Sequence, residues 1–518
     1  MFSVAPHRPS SHLDVPPVGA ARFFCAFALL SLGIAALILP ATETHAELAG
    51  SKPNIIIGLT DDQGYGDVAC LGNPIIKTPH LDRLHGESLR LTNFHVSPTC
   101  APTRSAMLTG NHEFKNGVTH TILERERLSL KSTTFPSLLK TAGYTTGIFG
   151  KWHLGDEHEY WPSQRGFDEQ FTHGAGGIGQ SYPGSCGDAP GNEYFDPAIM
   201  HNGKFVKTKG YCTDIFFDQA MKWITEKSTA KASGKTAPFY CHIATNAPHG
   251  PLICPPDYEA MYTGKVNANV AKFYGMITNI DDNVGKLVAK LKELDIERDT
   301  LLIFMTDNGT ATGAQVFNAG MRGTKGSPYE GGTRVPSFWR WPGKLPAGVD
   351  ANQLTSHIDY FPTFLALAGV KHPDGLKIDG RSLMPILENA KADWPDRALV
   401  THVGRWPRGK AADAKFSNMS IRNSQFALVN NKELFDLKAD YGQKTNVIDE
   451  HPKVVEQLRK TYDAWWDQVL PLMVNEDLDG PKVNPFHELY WRQFPEEKPQ
   501  GKTKDDEKPK GKGKKKAA

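Results

Sequence analysis

Four short runs constrain this chain more than anything else in it: NIIIGLT (54–60), YTTGIFG (144–150), FYCHIAT (239–245) and TLLIFMT (300–306). Each has strand length, is apolar or β-branched, and is bounded by turn residues. Helical stretches lie between them. FPSLLKTAG has a proline near its start and a glycine at its end, and VAKFYGMITNIDDNVGKLVAKLKELDI repeats apolar residues every three or four positions. Strands alternating with helices predict an α/β fold, a large, mixed, mainly parallel sheet sandwiched by helices.

Such sheets bind ligands beyond the carboxyl ends of their strands. The four runs lead into Asp61-Asp62, Lys151-Trp152-His153, Asn246-Ala247-Pro248-His249 and Asp307-Asn308-Gly309. One strand ending this way carries no weight. Four with complementary chemistry predict a shared site. The Gly-rich and aromatic-rich stretch from Trp161 to Tyr211 reads as irregular loops over it.

The texture changes near residue 395. FALVNNKELFDL reads as a hairpin turning at Asn-Asn, and PKVVEQLRKTYDAWWDQV as an amphipathic helix. The expected organisation is a signal peptide over 1–46, a catalytic domain over 52–395, an α+β subdomain with a smaller antiparallel sheet plus helix over 396–490, and a disordered tail over 496–518. At the N-terminus, Arg22 precedes a 17-residue apolar run, and Thr44-His45-Ala46 offers a small-x-small cleavage site. This predicts export, to the periplasm or beyond, with membrane tethering only if the segment stays uncleaved. The tail holds nine lysines against five acids and almost nothing apolar, so it cannot offset its ordering entropy. A formal net charge of +2 for the whole chain argues against a nucleic-acid partner for the folded body. Seven cysteines in 518 residues are too few for a disulfide framework. Proximity in sequence suggests Cys186–Cys212 and Cys241–Cys254 as pairs.

Asp61, Asp62, Asp307 and Asn308 are hard oxygen donors, suited to Ca²⁺ or Mg²⁺ and not to zinc. Singly, each reads equally well as a turn cap. Arg104, Lys151, His153, His249 and Lys325 add cationic or donor groups, which around a metal make a pocket for a multiply oxygenated anion. Lys151 and His153, two apart in an extended stretch, are expected on the same side. Cys100 precedes Pro102 and Arg104, at what reads as a helix start closed by Gly110. A helix N-terminus and a neighbouring arginine depress a thiol pKa. A buried structural cysteine and a thiolate nucleophile are the alternatives, the latter a poor match for a hard cation.

Cys100-Ala-Pro-Thr-Arg104, continuing to Thr109-Gly110, resembles the signature of the type I sulfatases of the alkaline-phosphatase superfamily. GKWHLG (150–155), TDNG (306–309) and RGTKGSPYEGGTRVP (322–336) extend the resemblance in the same order. It implies an alkaline-phosphatase-like fold. It also implies that a maturation enzyme converts Cys100 to Cα-formylglycine, whose hydrate attacks sulfur and carries the sulfate covalently before expelling it. Asp61, Asp62, Asp307 and Asn308 would hold Ca²⁺, or Mg²⁺ as the alternative, with the modified Cys100 completing the shell. Arg104 would steady the hydrate, His153 bond to it, Lys151 and Lys325 hold sulfate oxygens, and His249 protonate the leaving alcohol. The expected activity is hydrolysis of an aryl or carbohydrate sulfate. Two other readings are a phosphonate monoester or phosphodiester hydrolase of the same superfamily, and a non-catalytic anion- or glycan-binding protein with Cys100 unmodified. Trp161, Arg165, Trp406 and Arg408 could grip a sugar, or pack.

Overall fold

The structure, a computed structural model, describes residues 48–232 and 237–499. The expected signal segment and the tail from residue 500 onward lie outside the described residues. All four apolar runs form strands, and they are neighbours. Asn54–Thr60 lies between Thr300–Thr306 and Phe239–Ala244, and Thr145–Lys151 follows on the far side of Phe239–Ala244, all parallel. Glu169–His173 extends this parallel core by one strand. Antiparallel strands flank it, Ser337–Arg340 on one side and the Ala198–His201/Lys204–Lys207 hairpin on the other, and the sheet reaches ten strands.

Side chains along each strand alternate between the faces of the sheet, and both faces are buried. Ile55, Ile57 and Leu59 join one apolar cluster with Leu301, Ile303 and Met305. Ile56 enters the opposite cluster with Leu302 and Phe304. The helix Ala268–Glu293 supplies Met276, Ile280, Val284, Leu287 and Leu291 to that second cluster. Its three- and four-residue spacing is the pattern seen in the sequence.

A four-stranded antiparallel sheet, Leu399–His402, Met419–Arg422, Phe426–Val429 and Glu433–Asp436, forms near the C-terminus. Asn430 and Asn431 turn its last hairpin with φ of 51° and 56°, a left-handed conformation asparagine tolerates. The helix Pro452–Val469 packs Val455, Leu458, Tyr462 and Trp466 on this sheet. Buried ion pairs tie this region to the main body: Arg422 of the small sheet to Glu330 at 2.5 Å, and Arg397 just before it to Asp359 at 2.5 Å.

Three expectations need correction. The stretch from Trp161 to Tyr211 is not loop throughout, because it contributes the strands Glu169–His173, Ala198–His201 and Lys204–Lys207. EQFTH lacks an apolar run, and its strand is specified by register with the neighbour, Phe149 opposite Phe171 and Lys151 opposite His173. Neither suggested disulfide forms: Cys186, Cys212, Cys241 and Cys254 are all free thiols. The Cys186 sulfur donates to the Thr121 carbonyl and that of Cys212 to Asn246 Oδ1, while Cys241 points into the core from its strand. Glu497, placed in the expected tail, accepts a hydrogen bond from Tyr490 at 2.5 Å.

Candidate active site

The carboxyl ends of the central strands converge as the sequence requires. Asp61 and Asp62 follow the strand Asn54–Thr60, Asp307 and Asn308 follow Thr300–Thr306, and Lys151 ends Thr145–Lys151. Cys100 opens the helix Cys100–Thr109, whose residues are all buried, and Gly110 closes it with φ 69°. Arg104, one turn along, lies on the same helix face as Cys100.

The Cys100 sulfur is 3.3 Å from Asp61 Oδ1 and 4.0 Å from Asp62 Oδ1, and the Lys325 ammonium is 3.5 Å away. Lys325 also pairs with Asp62 Oδ1 at 2.5 Å. Arg104 donates to Asp307 Oδ2 at 2.8 Å and lies 3.4 Å from Asp61 Oδ2. Lys151 pairs with Asp61 and donates to the Gly176 carbonyl at 2.5 Å. Three buried carboxylates therefore face three cations around one sulfur.

His153 does not continue an extended stretch from Lys151, because its φ is 63°. The left-handed turn brings its imidazole to the site. Nε2 donates to the Thr121 carbonyl at 2.8 Å, which leaves Nδ1 a buried acceptor with no partner. His249 Nδ1 donates to the Gly250 carbonyl at 2.7 Å, and Nε2 lies 3.8 Å from Asp62 Oδ2. A glycine run crosses both rings. A Cβ at Gly176 would sit 3.1 Å from the His153 ring, and one at Gly177 would sit 2.7 Å from His249 Nδ1.

Burial shapes the protonation states. It pushes the Cys100 thiol up to about 12, with Asp61 adding and Lys151 and Lys325 opposing. This overturns the expectation of a depressed thiol pKa: the helix terminus and Arg104 do not outweigh desolvation and the adjoining carboxylates. Burial raises Asp307 to about 6, with Asp61 adding and Arg104 opposing. Burial works to raise Asp62 as well, but Lys325 and His249 hold it well below its ordinary value. Burial lowers His249 to about 4 against the pull of Asp62, and with Lys151 it drives His153 well below 6.5, so both imidazoles are neutral.

The donors fit a hard cation. One ligand atom each from Asp61, Asp62, Cys100 and His249 lie within 4.8 Å of one another, and Asn308 Oδ1 is buried without a hydrogen-bond partner. Asn308 Nδ2 is already committed to Asp62 Oδ1 at 3.0 Å, which turns Oδ1 the other way as a free acceptor. The one soft atom among these oxygens is the Cys100 sulfur.

The sulfatase family model matches residues 53–370, and the model of the N-sulphoglucosamine sulphohydrolase C-terminal region matches 324–467. The chain belongs to the sulfatase family. An N-acetylgalactosamine-6-sulfatase of Canis lupus familiaris is 31% identical over 371 residues, which is 68% of this sulfatase and 69% of that one. The crystal structure of Ps i-CgsB in complex with k-i-k-neocarrahexaose is similar at TM-score 0.71 and 28% identity, covering 85% of this chain and 97% of that one. The phosphonate monoester hydrolase of Agrobacterium radiobacter shares the fold alone, at TM-score 0.56 and 19% identity over 82% and 96% of the two chains. The reaction of this sulfatase is the hydrolysis of sulfuric esters.

A cavity of about 650 Å³ opens onto Cys100, Asp62, His153, His249 and Lys325. Its outer wall adds residues that the sequence did not single out: His120, Gln180, Tyr182 and Arg405. Only Arg405 had a signal, as the neighbour of Trp406. The suggested sugar-gripping residues are engaged elsewhere, three of them by packing and Arg408 in a surface ion pair. Trp161 donates to the Asp156 carbonyl, Arg165 to those of Ser129 and Ser132, and Trp406 to Glu476 Oε2 at 2.6 Å. Arg408 pairs with Asp479 at 2.7 Å, and none of the four lines the cavity.

Proposed function

We propose that this sulfatase hydrolyses a sulfate ester borne on a carbohydrate, with Cys100 matured to Cα-formylglycine by a separate enzyme and Ca²⁺ held by Asp61, Asp62, Asp307 and Asn308. One observation carries the reading. A fully buried sulfur stands among hard oxygen donors and three cations. As a thiol it is a poor nucleophile and a poor ligand for a hard ion. An oxygen-bearing group at the same position removes both mismatches.

Bound Ca²⁺ would supply Lewis-acid polarisation, and the hydrated aldehyde an oxygen nucleophile. The other groups do the positioning. Arg104 spans Asp61 and Asp307 and fixes their orientation beside position 100. Lys325 and Lys151 present ammonium groups to the oxygens of a sulfate and offset its charge as it transfers. His153 Nδ1, buried and unprotonated, is the acceptor for a proton released at position 100. His249 Nε2 faces the cavity floor and serves the leaving oxygen once the bound anionic ester raises its pKa.

The carbohydrate assignment is supported by relatives that carry glycan names. One is an N-acetylgalactosamine-6-sulfatase, and one structure of Ps i-CgsB is a complex with k-i-k-neocarrahexaose. Export is supported by the apolar run and small-x-small site before residue 47.

The test is a mass measurement on the peptide carrying residue 100, alongside side-by-side turnover of sulfated saccharides, an aryl sulfate and an aryl phosphodiester. The reading requires aldehyde at position 100 in active protein and faster sulfate-ester cleavage. A thiol in fully active protein, or faster phosphodiester cleavage, would defeat it.

A further inference from the structure

We infer that Arg405 forms a second anion site at the mouth of the active-site cavity, so that the preferred substrate carries a carboxylate or second sulfate beside the sulfate ester that is cleaved. This rests on the carbohydrate-sulfatase reading and extends it to the charge of the substrate.

The cavity is larger than one sulfate needs. At about 650 Å³ it falls within the range of pockets that enclose drug-sized ligands. Buried Cys100 and Asp62 line it with half-buried Lys325, His120 and Tyr182, and Arg405 is the exposed residue on the same lining. Lys325, the other cation in the lining, already has a carboxylate in Asp62, and the buried cations behind it are paired as well, Lys151 with Asp61 and Arg104 with Asp307. Arg405 has none. Among the described residues it makes no ion pair and no hydrogen bond through its side chain. The lining contains one carboxylate, Asp62, which is committed to Lys325. The wall therefore presents an unopposed guanidinium, the group best matched in shape to a carboxylate or sulfate.

The neighbours of Arg405 suit the same ligand. The His120 imidazole is held neutral, its pKa lowered to about 3 chiefly by burial, with Arg125 and Arg405 adding. Its Nδ1 accepts from the Thr121 N–H at 2.7 Å, so the proton sits on Nε2 as a donor. Tyr182 lines the same cavity and adds a phenol to its polar surface.

The arginine is also anchored from behind. Fully buried Arg125 donates to the Gly404 carbonyl at 2.5 Å and to the Trp406 carbonyl at 2.8 Å, the residues on either side of Arg405. Its guanidinium lies over the Trp406 ring, 5.2 Å from the centroid. A Cβ at Gly404 would lie 1.8 Å from the Thr119 carbonyl oxygen, so this segment is pressed onto the loop that carries His120. The backbone on both sides of Arg405 is fixed against the cavity wall, and the side chain alone is left to meet a ligand.

The experiment compares kcat/KM on three substrates: a monosaccharide sulfate, the same sugar with a second sulfate, and a sulfated disaccharide whose neighbouring residue carries a carboxylate. The wild-type enzyme is expected to prefer one doubly charged substrate by tenfold or more, and which one identifies the second anion. Arg405→Gln should collapse that ratio towards one, Arg405→Lys should retain much of it, and added salt should erode it in the wild type and in Arg405→Lys but not in Arg405→Gln. The inference is overturned if the wild type shows no preference, or if Arg405→Gln lowers kcat/KM on all three by the same factor. A wild-type enzyme that cleaves no sulfate ester overturns the underlying reading as well, so the two failures are distinguishable.

Discussion

The Lys325 ammonium stands 3.5 Å from the Cys100 sulfur while pairing with Asp62 at 2.5 Å. One nitrogen thus serves the reacting position and a metal-type carboxylate together. Replacing Cys100 separates chemistry from folding at this point. Cys100→Ala should lower kcat by at least about 10³-fold, and stability by no more than about 1–2 kcal/mol, since one small buried atom is lost. Steady-state rates and urea unfolding check the two halves of this expectation.

Asp307 takes a hydrogen bond from Arg104 at 2.8 Å and is fully buried. Asp307→Ala should weaken Ca²⁺ binding and lower activity, and excess Ca²⁺ should partly restore the rate. Titration calorimetry on wild type and variant measures the first, and rates after chelation and re-addition measure the second. An unchanged calcium affinity would remove Asp307 from the ligand set.

The leaving-group role proposed for His249 makes the effect of its loss depend on the alcohol expelled. With a sugar alcohol, His249→Gln should cost about 10²–10⁴-fold in kcat. With 4-nitrophenol, which leaves without a proton, the loss should be much smaller. Equal losses on both would return His249 to a positioning role against Asp62.

Gly150 precedes Lys151, with φ 114°, and a Cβ there would lie 1.9 Å from the Ala244 carbonyl oxygen in the adjoining strand. Gly150→Ala forces two central strands apart beneath the site. A loss of about 2–4 kcal/mol is expected from strain and overpacking, together with lower activity because Lys151 moves. Chemical denaturation and kinetics on the same sample test both.

Glu126 is fully buried, and burial raises its carboxyl to about 7 against the opposing pull of Ser185 and Arg127. A raised acid holds its proton in the folded state after the unfolded chain has lost it. Its contribution to stability therefore falls as pH rises from about 4.5 to 7, by about 3 kcal/mol in all. Glu126→Gln should flatten that part of the stability–pH curve and be more stable than wild type at pH 8. A curve identical to wild type would show that Glu126 is ionised at neutral pH.

The parallel core was legible because Asn54–Thr60 and Thr300–Thr306 announce themselves as apolar runs, and Asp61, Asp62 and Asp307 follow them directly. Glu169–His173 was not, because pairing with Thr145–Lys151 specifies it and composition does not. The helix start at Cys100 is legible in its neighbours Pro102 and Arg104, and its protonation is not. Depth of burial is a property of the packed sheet and leaves no mark on five neighbouring residues. Arg405 escaped notice for a related reason. It reaches the cavity because Arg125, some 280 positions earlier, holds the backbone on either side of it, while Trp406 packs and Arg408 stands in a surface ion pair.

The grip of Arg125 on the carbonyls of Gly404 and Trp406 has a consequence for divergence. It touches no side-chain atom of residue 405, so exchanging the residue between them leaves the grip intact. Selectivity at the entrance can thus drift independently of the reactive centre, and one scaffold can serve differently decorated saccharides by changing a single position.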